Sequence, residues 1–91
     1  MRQLIRHKLF KKEIDKVTLT DQQFAKMIQY LSLLIEGNDL PIESKDHPLN
    51  GEWKSFREFH LGGDMLLIYY INEENNQIVL MRIGSHAQLF R

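Results

Sequence analysis

Apolar residues recur along this chain with two periods, and the change falls near its middle. In the first half the period is helical. Phe10, Ile14 and Val17 lie at i, i+4 and i+7 and mark one face of a short helix; ahead of them, Arg2 to His7 suits a short strand. Thr20-Asp21-Gln22-Gln23 has the form of a capping box, with Thr20 as N-cap and Gln23 reaching back to it. Phe24, Met27, Ile28, Leu31, Leu34 and Ile35 then follow at helical spacing. They predict a helix from about Asp21 to Glu36, which Gly37 ends in the left-handed position. From Leu40-Pro41 to about Gly51 the chain reads as a loop, with Pro48 and Asn50-Gly51 as turn signals.

The second half has the pattern of strands. Trp53, Phe56, Phe59 and Leu61 sit among charged residues in a rough strand pattern, and Trp53, Phe56 and Phe59 are expected in the core rather than on a base-stacking platform. Gly62-Gly63-Asp64 breaks that segment as a turn. "MLLIYYI", Met65 to Ile71, is a continuous apolar run of strand length, which suits a central strand. Asn72 to Asn76 is a polar hairpin loop, and Ile78 to Ile83 is the return strand. The prediction is an α+β fold in one domain, residues 1–91. Two N-terminal helices pack on one face of a small antiparallel sheet, which the short first strand is able to join.

Composition narrows the setting. The chain has 91 residues and no cysteine, so disulfides and thiolate metal sites are excluded and a reducing cytoplasm is the expected compartment. No apolar run approaches the ~18–20 residues of a membrane-spanning helix. The opening "MRQLIRHKLFKKEIDK" lacks the apolar stretch of a signal peptide, so no membrane partner is expected. Net charge is zero but unevenly spread. Residues 1–16 hold six Lys/Arg against two acids, residues 17–52 two against six, and residues 53–91 four against four. This balance argues against a protein that grips naked nucleic acid by charge alone. It leaves Lys8, Lys11, Lys12 and Lys16 as a local basic stretch, which is either a solvated helix face or a phosphate contact.

The candidate chemistry lies in the histidines. His7 belongs to the basic segment and reads as an exposed residue. The other three sit at corners: His47 in "KDHPLNG", His60 just before the Gly62-Gly63-Asp64 turn, and His86 in "GSHAQLF" after the last strand. Antiparallel strands reverse at each turn, so His60 and His86 are able to share one rim of the sheet, and the loop holding His47 feeds the same sheet. Taken singly, each is as readily a capping or loop residue. Together with Asp64 they form a set suited to acid–base chemistry, because imidazole both gives and takes a proton near neutrality. A zinc site built on the three is the rival. Their spacings of 13 and 26 residues match no compact ligand motif, so neither metal nor cofactor is expected. The apolar tail that follows, Leu89-Phe90, is expected to pack back beside the rim and hold His86.

"KDHPLNGEWKSFREFH", then Asp64, "LLIYYI" and "RIGSHAQLF" together resemble the YafQ branch of the RelE/ParE superfamily of bacterial toxins. That branch carries D-H-x-L-x-G-x-W-K-x-[FY]-R-[DE]-x-H, an acidic residue, L-L-I-Y and R-x-G-[ST]-H-x-x-L-F. The likeness covers about residues 45–90. It departs from the pattern at Gly62-Gly63, where a proline is common before the acid, and at Met65, where a tryptophan often follows it. The resemblance implies a RelE-like fold and an endoribonuclease that cuts mRNA in the ribosomal A site. It implies a cognate antitoxin that silences the toxin, with operator DNA bound only through their complex. The implied catalytic residues are His47, His60, Asp64 and His86. For RNA contact, Lys54, Arg57, Arg82 and Phe90 are expected, with Arg57 and His47 on the phosphate. Two alternatives stay open: an RNase that works without the ribosome, and a non-nuclease toxin or inactive scaffold acting only by protein binding.

Overall fold

The computed structural model describes residues 1–90. The chain begins with a strand, β1 (Gln3–Arg6), and a short helix, α1 (Lys8–Ile14). The long helix α2 (Asp21–Ile35) starts at Thr20, whose hydroxyl accepts the Gln23 N–H while the Gln23 side chain accepts the Thr20 N–H. This is the reciprocal cap expected from the sequence, and Gly37 closes the helix at φ +81°.

The chain then passes through a 3₁₀ turn, Ile42–Ser44, into a two-residue strand, β2 (His47–Pro48), and a second 3₁₀ turn, Gly51–Trp53. The sequence pattern read this whole stretch as loop, because a two-residue strand is too short to carry a period. Three longer strands follow: β3 (Arg57–Gly62), β4 (Met65–Asn72) and β5 (Gln77–Ser85). A last short helix, α3 (His86–Leu89), was not foreseen; Ser85 and Gln88 cap it reciprocally.

The five strands form one sheet in the order β1-β5-β4-β3-β2. Strand β4, the apolar run, therefore lies at its centre, as its composition predicts. Strand β1 joins parallel to β5, whereas the remaining pairings are antiparallel. Where β1 ends and α1 begins, the side chain of Glu13 takes over the edge of β5: its Oε1 accepts the Ile83 N–H at 3.2 Å. A backbone donor that the parallel ladder no longer reaches is thus satisfied by a helix side chain.

Alternation along β3 and β4 divides the side chains between two faces. Phe59, Leu61, Leu67 and Tyr69 turn to the helices and form the main core with Phe10, Met27, Tyr30, Leu31 and Leu34. Leu66 and Ile68 turn the other way and meet Leu89 of α3, with Leu49, Phe56 and Met81 packed around them. A bulge in β5 opposite Ile68 and Tyr69 shifts the alternation, so Met81 joins this second face. The expectation that Trp53 is core is corrected: it lies in a 3₁₀ turn before the strand begins and is 56% exposed. Phe59 does occupy the core, and Phe56 lies between these extremes, half-buried against Tyr70 with ring centroids 5.4 Å apart.

Candidate active site

Strand β3 is the platform of the site. Counting by twos from its polar face gives Glu58 and His60, which stand opposite Ile68 and Leu66 of β4 on the side of the sheet away from α1 and α2. Across the other edge of β3, His47 of β2 pairs with Glu58. The consequence is direct: His47 Nε2 lies 2.9 Å from Glu58 Oε1, and the His47 and His60 rings are 6.2 Å apart. The third imidazole comes from the far side of β4. Leu66 stands between His60 and Gly84 in register, and His86 begins α3 two residues beyond Gly84.

The start of α3 is fixed by three contacts. The backbone N–H of His86 donates to the main-chain oxygen of Asp64 at 3.0 Å. The capping pair of Ser85 and Gln88 shapes the turn. Gly84 lets the helix lie close on β5, since a Cβ there would sit 3.0 Å from Gln88 Oε1 and 3.1 Å from a Leu89 methyl carbon. Leu89 is buried, and the Phe90 ring stays 43% exposed with its centroid 4.9 Å from that of His86. The tail thus divides its work: Leu89 anchors it, and Phe90 flanks the imidazole.

Asp64 is exposed in the β3–β4 turn, where Gly62 and Gly63 both take positive φ. The amide of Gln23 on α2 donates to the Gly62 carbonyl at 3.0 Å and ties this turn to the helix layer. Lys54 is exposed after the second 3₁₀ turn. Arg82 opens onto the site face, in a groove with Phe56, Leu89 and Phe90, and both oxygens of Glu13 hold its guanidinium.

Arg57 does not join the site. It stands opposite Tyr69 on the helix-facing side of the sheet, and its Nε and Nη2 donate to Asp46 Oδ2 at 3.2 and 2.9 Å. The expectation that Arg57 and His47 hold one phosphate is therefore corrected: residues 57 and 60 differ by an odd number, so on one strand they point to opposite faces. The same count would have found the residue that the sequence reading left out. Glu58 is 6% exposed, and its Oε2 has no hydrogen-bond partner. Its signal was the alternation R-E-F-H, which sets Glu58 beside His60.

The electrostatics act clearly on one imidazole, His60. Burial pushes the His60 pKa below its ordinary 6.5, and the neighbouring Lys45, His47 and His86 act in the same direction, while Glu58 opposes them. His60 is thus neutral at pH 7 and ready to accept a proton. His47 differs. Its Nδ1 contacts the Pro48 carbonyl oxygen at 2.9 Å, and a carbonyl only accepts, so Nδ1 carries a hydrogen. Its Nε2 faces a carboxyl oxygen, so the hydrogen of that contact is shared between His47 and Glu58. The ligating atoms of His47, Glu58 and His60 also lie within 4.8 Å of one another, a spacing that a divalent cation is able to bridge.

The lowered pKa of His60 has a sign. As pH falls below 6.5 the unfolded chain takes up a proton at this histidine that the folded chain resists. Stability contributed at this position is full above 6.5, declines as pH falls, and levels off below the folded-state pKa. In a melting series from pH 7.5 to 5, His60→Gln is expected to flatten part of the decline, and imidazole NMR to place the His60 midpoint under 6.5. A midpoint at or above that value would contradict the assignment.

The same helix-backed sheet is found in small bacterial toxins of solved structure. Within that class the chain belongs to the YafQ family. Residues 2–91 match the family described as "Bacterial toxin of type II toxin-antitoxin system, YafQ". The mRNA interferase toxin YafQ of Escherichia coli K12 is 40% identical over 65 residues, which span 69% of this chain and 68% of that protein. A metal-bound toxin from Helicobacter pylori superposes with a TM-score of 0.82 at 35% identity, covering 99% of this chain and all of the other. The toxin chain of the E. coli DinJ–YafQ complex superposes with a TM-score of 0.83 at 30% identity, with both chains covered in full.

Proposed function

We propose that this toxin is an mRNA interferase that cuts the codon in the ribosomal A site, in the cytoplasm, and that a cognate antitoxin bound to it silences it. The observation that carries the reading is the pairing of His47 and His60 at 6.2 Å, with His60 held neutral partly by the nearby charge of His86. The E. coli relative, an mRNA interferase toxin, and the E. coli DinJ–YafQ complex support it. Operator DNA is then met only through the toxin–antitoxin complex. Among the described residues no helix is long and apolar enough to cross a membrane.

RNA carries its own nucleophile, so the chemistry is a proton relay. His60 takes the proton of the 2′-OH, with exposed Asp64 as the alternative base. The 2′-oxygen attacks the adjacent phosphorus, and the bond from phosphorus to the 5′-oxygen breaks. His86 gives that departing oxygen its proton, leaving a 2′,3′-cyclic phosphate and a 5′-hydroxyl. The His47–Glu58 pair faces the phosphate with its shared proton. Lys54 and Arg82 meet the backbone further along the strand. Phe90 stacks on a base, a contact worth about 1–3 kcal/mol in single-strand binders. No step calls for a metal.

Mapping mRNA 3′ ends on programmed ribosomes tests this, using toxin dialysed against a chelator and no metal beyond the magnesium that ribosomes need. Cuts confined to the A-site codon are expected. Equal cutting of free RNA would give the ribosome-independent RNase instead. The absence of cutting by folded toxin would reject the nuclease and leave a toxin that acts by binding.

A further inference from the structure

We propose that Arg57 and Tyr69 are positioning residues of the histidine site: from the far face of the sheet they clamp Asp46 and so set the direction of His47. The inference rests on His47 acting in RNA cleavage as described above.

The need for such a clamp follows from the strand that carries His47. Strand β2 is two residues long, lies at the sheet edge, and pairs through His47 with Glu58 and Pro48 with Arg57, with one further bond from the Leu49 N–H to the Phe56 carbonyl. Pro48 has no N–H to give. So short a ladder leaves the segment free to twist, and an edge segment is the first to fray.

Asp46 supplies the missing hold. Side chains alternate across an extended segment, so the neighbours Asp46 and His47 point to opposite faces. Fixing the carboxylate of one fixes the aim of the other. Both Asp46 oxygens are engaged: Oδ2 accepts two hydrogen bonds from Arg57, and Oδ1 accepts the hydroxyl of Tyr69. Charge-assisted, two-pronged contacts of this kind are the strong and directional ones. Tyr69 is itself fully buried in the main core, so the clamp is tied to the most rigid part of the fold. The bond with Asp46 raises the pKa of Arg57, and burial followed by the Asp46 carboxylate raises that of Tyr69; both donors keep their protons. On the other flank the Asp46 N–H donates to the hydroxyl of buried Ser44 at 3.3 Å, and that hydroxyl donates to the Pro41 carbonyl at 2.7 Å. His47 is thereby held from both sides while its own ring stays exposed.

The experiment compares Tyr69→Phe and Arg57→Lys in two backgrounds, wild type and His47→Ala, by single-turnover cleavage. Tyr69→Phe keeps the ring that fills the core, and melting curves confirm that each variant folds. In the wild-type background the cleavage rate at saturation is expected to fall by about 10-fold or more with KM within about twofold, since small misplacements near a reacting group have effects up to about 10²-fold. In the His47→Ala background neither change is expected to lower the rate further. Equal losses in both backgrounds, or no loss in the wild type, would overturn the proposal. Imidazole NMR of His47 provides the readout that does not depend on cleavage: shifted or broadened ring signals in folded Tyr69→Phe support the clamp, and unchanged signals reject it. If the wild type cuts no RNA, the nuclease reading fails while the NMR result still decides the clamp.

Discussion

Replacing His86 with alanine is expected to lower single-turnover cleavage by about 10²–10⁴-fold, the range over which a positioned acid or base contributes. The substitution is clean because the backbone of α3 does not depend on the ring. The Ser85 and Gln88 cap, the His86 N–H to Asp64 carbonyl bond and the buried Leu89 all remain when the imidazole is removed. Alanine is also the best helix former, so α3 loses no propensity. Loss of rate with an unchanged melting curve therefore reports the proton that His86 transfers to the leaving oxygen. A 5′-phosphorothiolate substrate, whose sulfur leaves without needing a proton, should be cut by His86→Ala at close to the wild-type rate. A fall of less than about threefold on normal RNA, or no rescue by the sulfur substrate, would remove the acid role from His86.

Phe59→Ala is expected to give the largest loss of stability, about 3–5 kcal/mol, as for other large-to-small changes in full cores. Phe59 is completely buried. Its ring stands edge-on to Tyr30 of α2, with centroids 5.4 Å apart at 80°, and 5.6 Å from Tyr69 of β4. It joins the helix layer to the sheet centre, so no single element is able to close over the cavity. A domain of this size has about 5–15 kcal/mol in all, and each kcal/mol moves Tm by about 4–8 °C. Most of the variant should therefore be unfolded by moderate heating, as seen by circular dichroism. Trp53→Ala is the control: an exposed aromatic in a 3₁₀ turn should change stability by less than about 0.5 kcal/mol. Similar losses from the two changes would mean that the core is not where the fold places it.

The two effects meet on one strand. Arg57, Phe59 and Leu61 of β3 face the helices, and Glu58 and His60 face the site. The face that carries the candidate site is left open by α2, which packs on the opposite face, while Leu9 of α1 reaches the edge of its groove. The three site imidazoles reach the rim by different supports: His60 on a strand inside the sheet, His47 on an edge strand anchored through Asp46, and His86 on a capped helix start.

The sequence by itself determined the elements with a sustained period or an explicit stop signal. Helix α2 was legible from six apolar positions between a capping box and a glycine, although Phe24 and Ile28 among them stay exposed, and β4 from a seven-residue apolar run, because local conformational preference and fold agree there. It also singled out the candidate residues, since His47, His60 and His86 stand in one motif. Only the tertiary structure decided which of them meet. Pairing register set Glu58 against His47 and Arg57 against Tyr69, and register is a relation between strands that no single segment encodes. The same holds for Glu13, 69 residues from the Arg82 it binds, and for Trp53, whose exposure depends on where β3 begins. Local pattern fixes conformation through neighbours in the chain, whereas a site is made by neighbours in space.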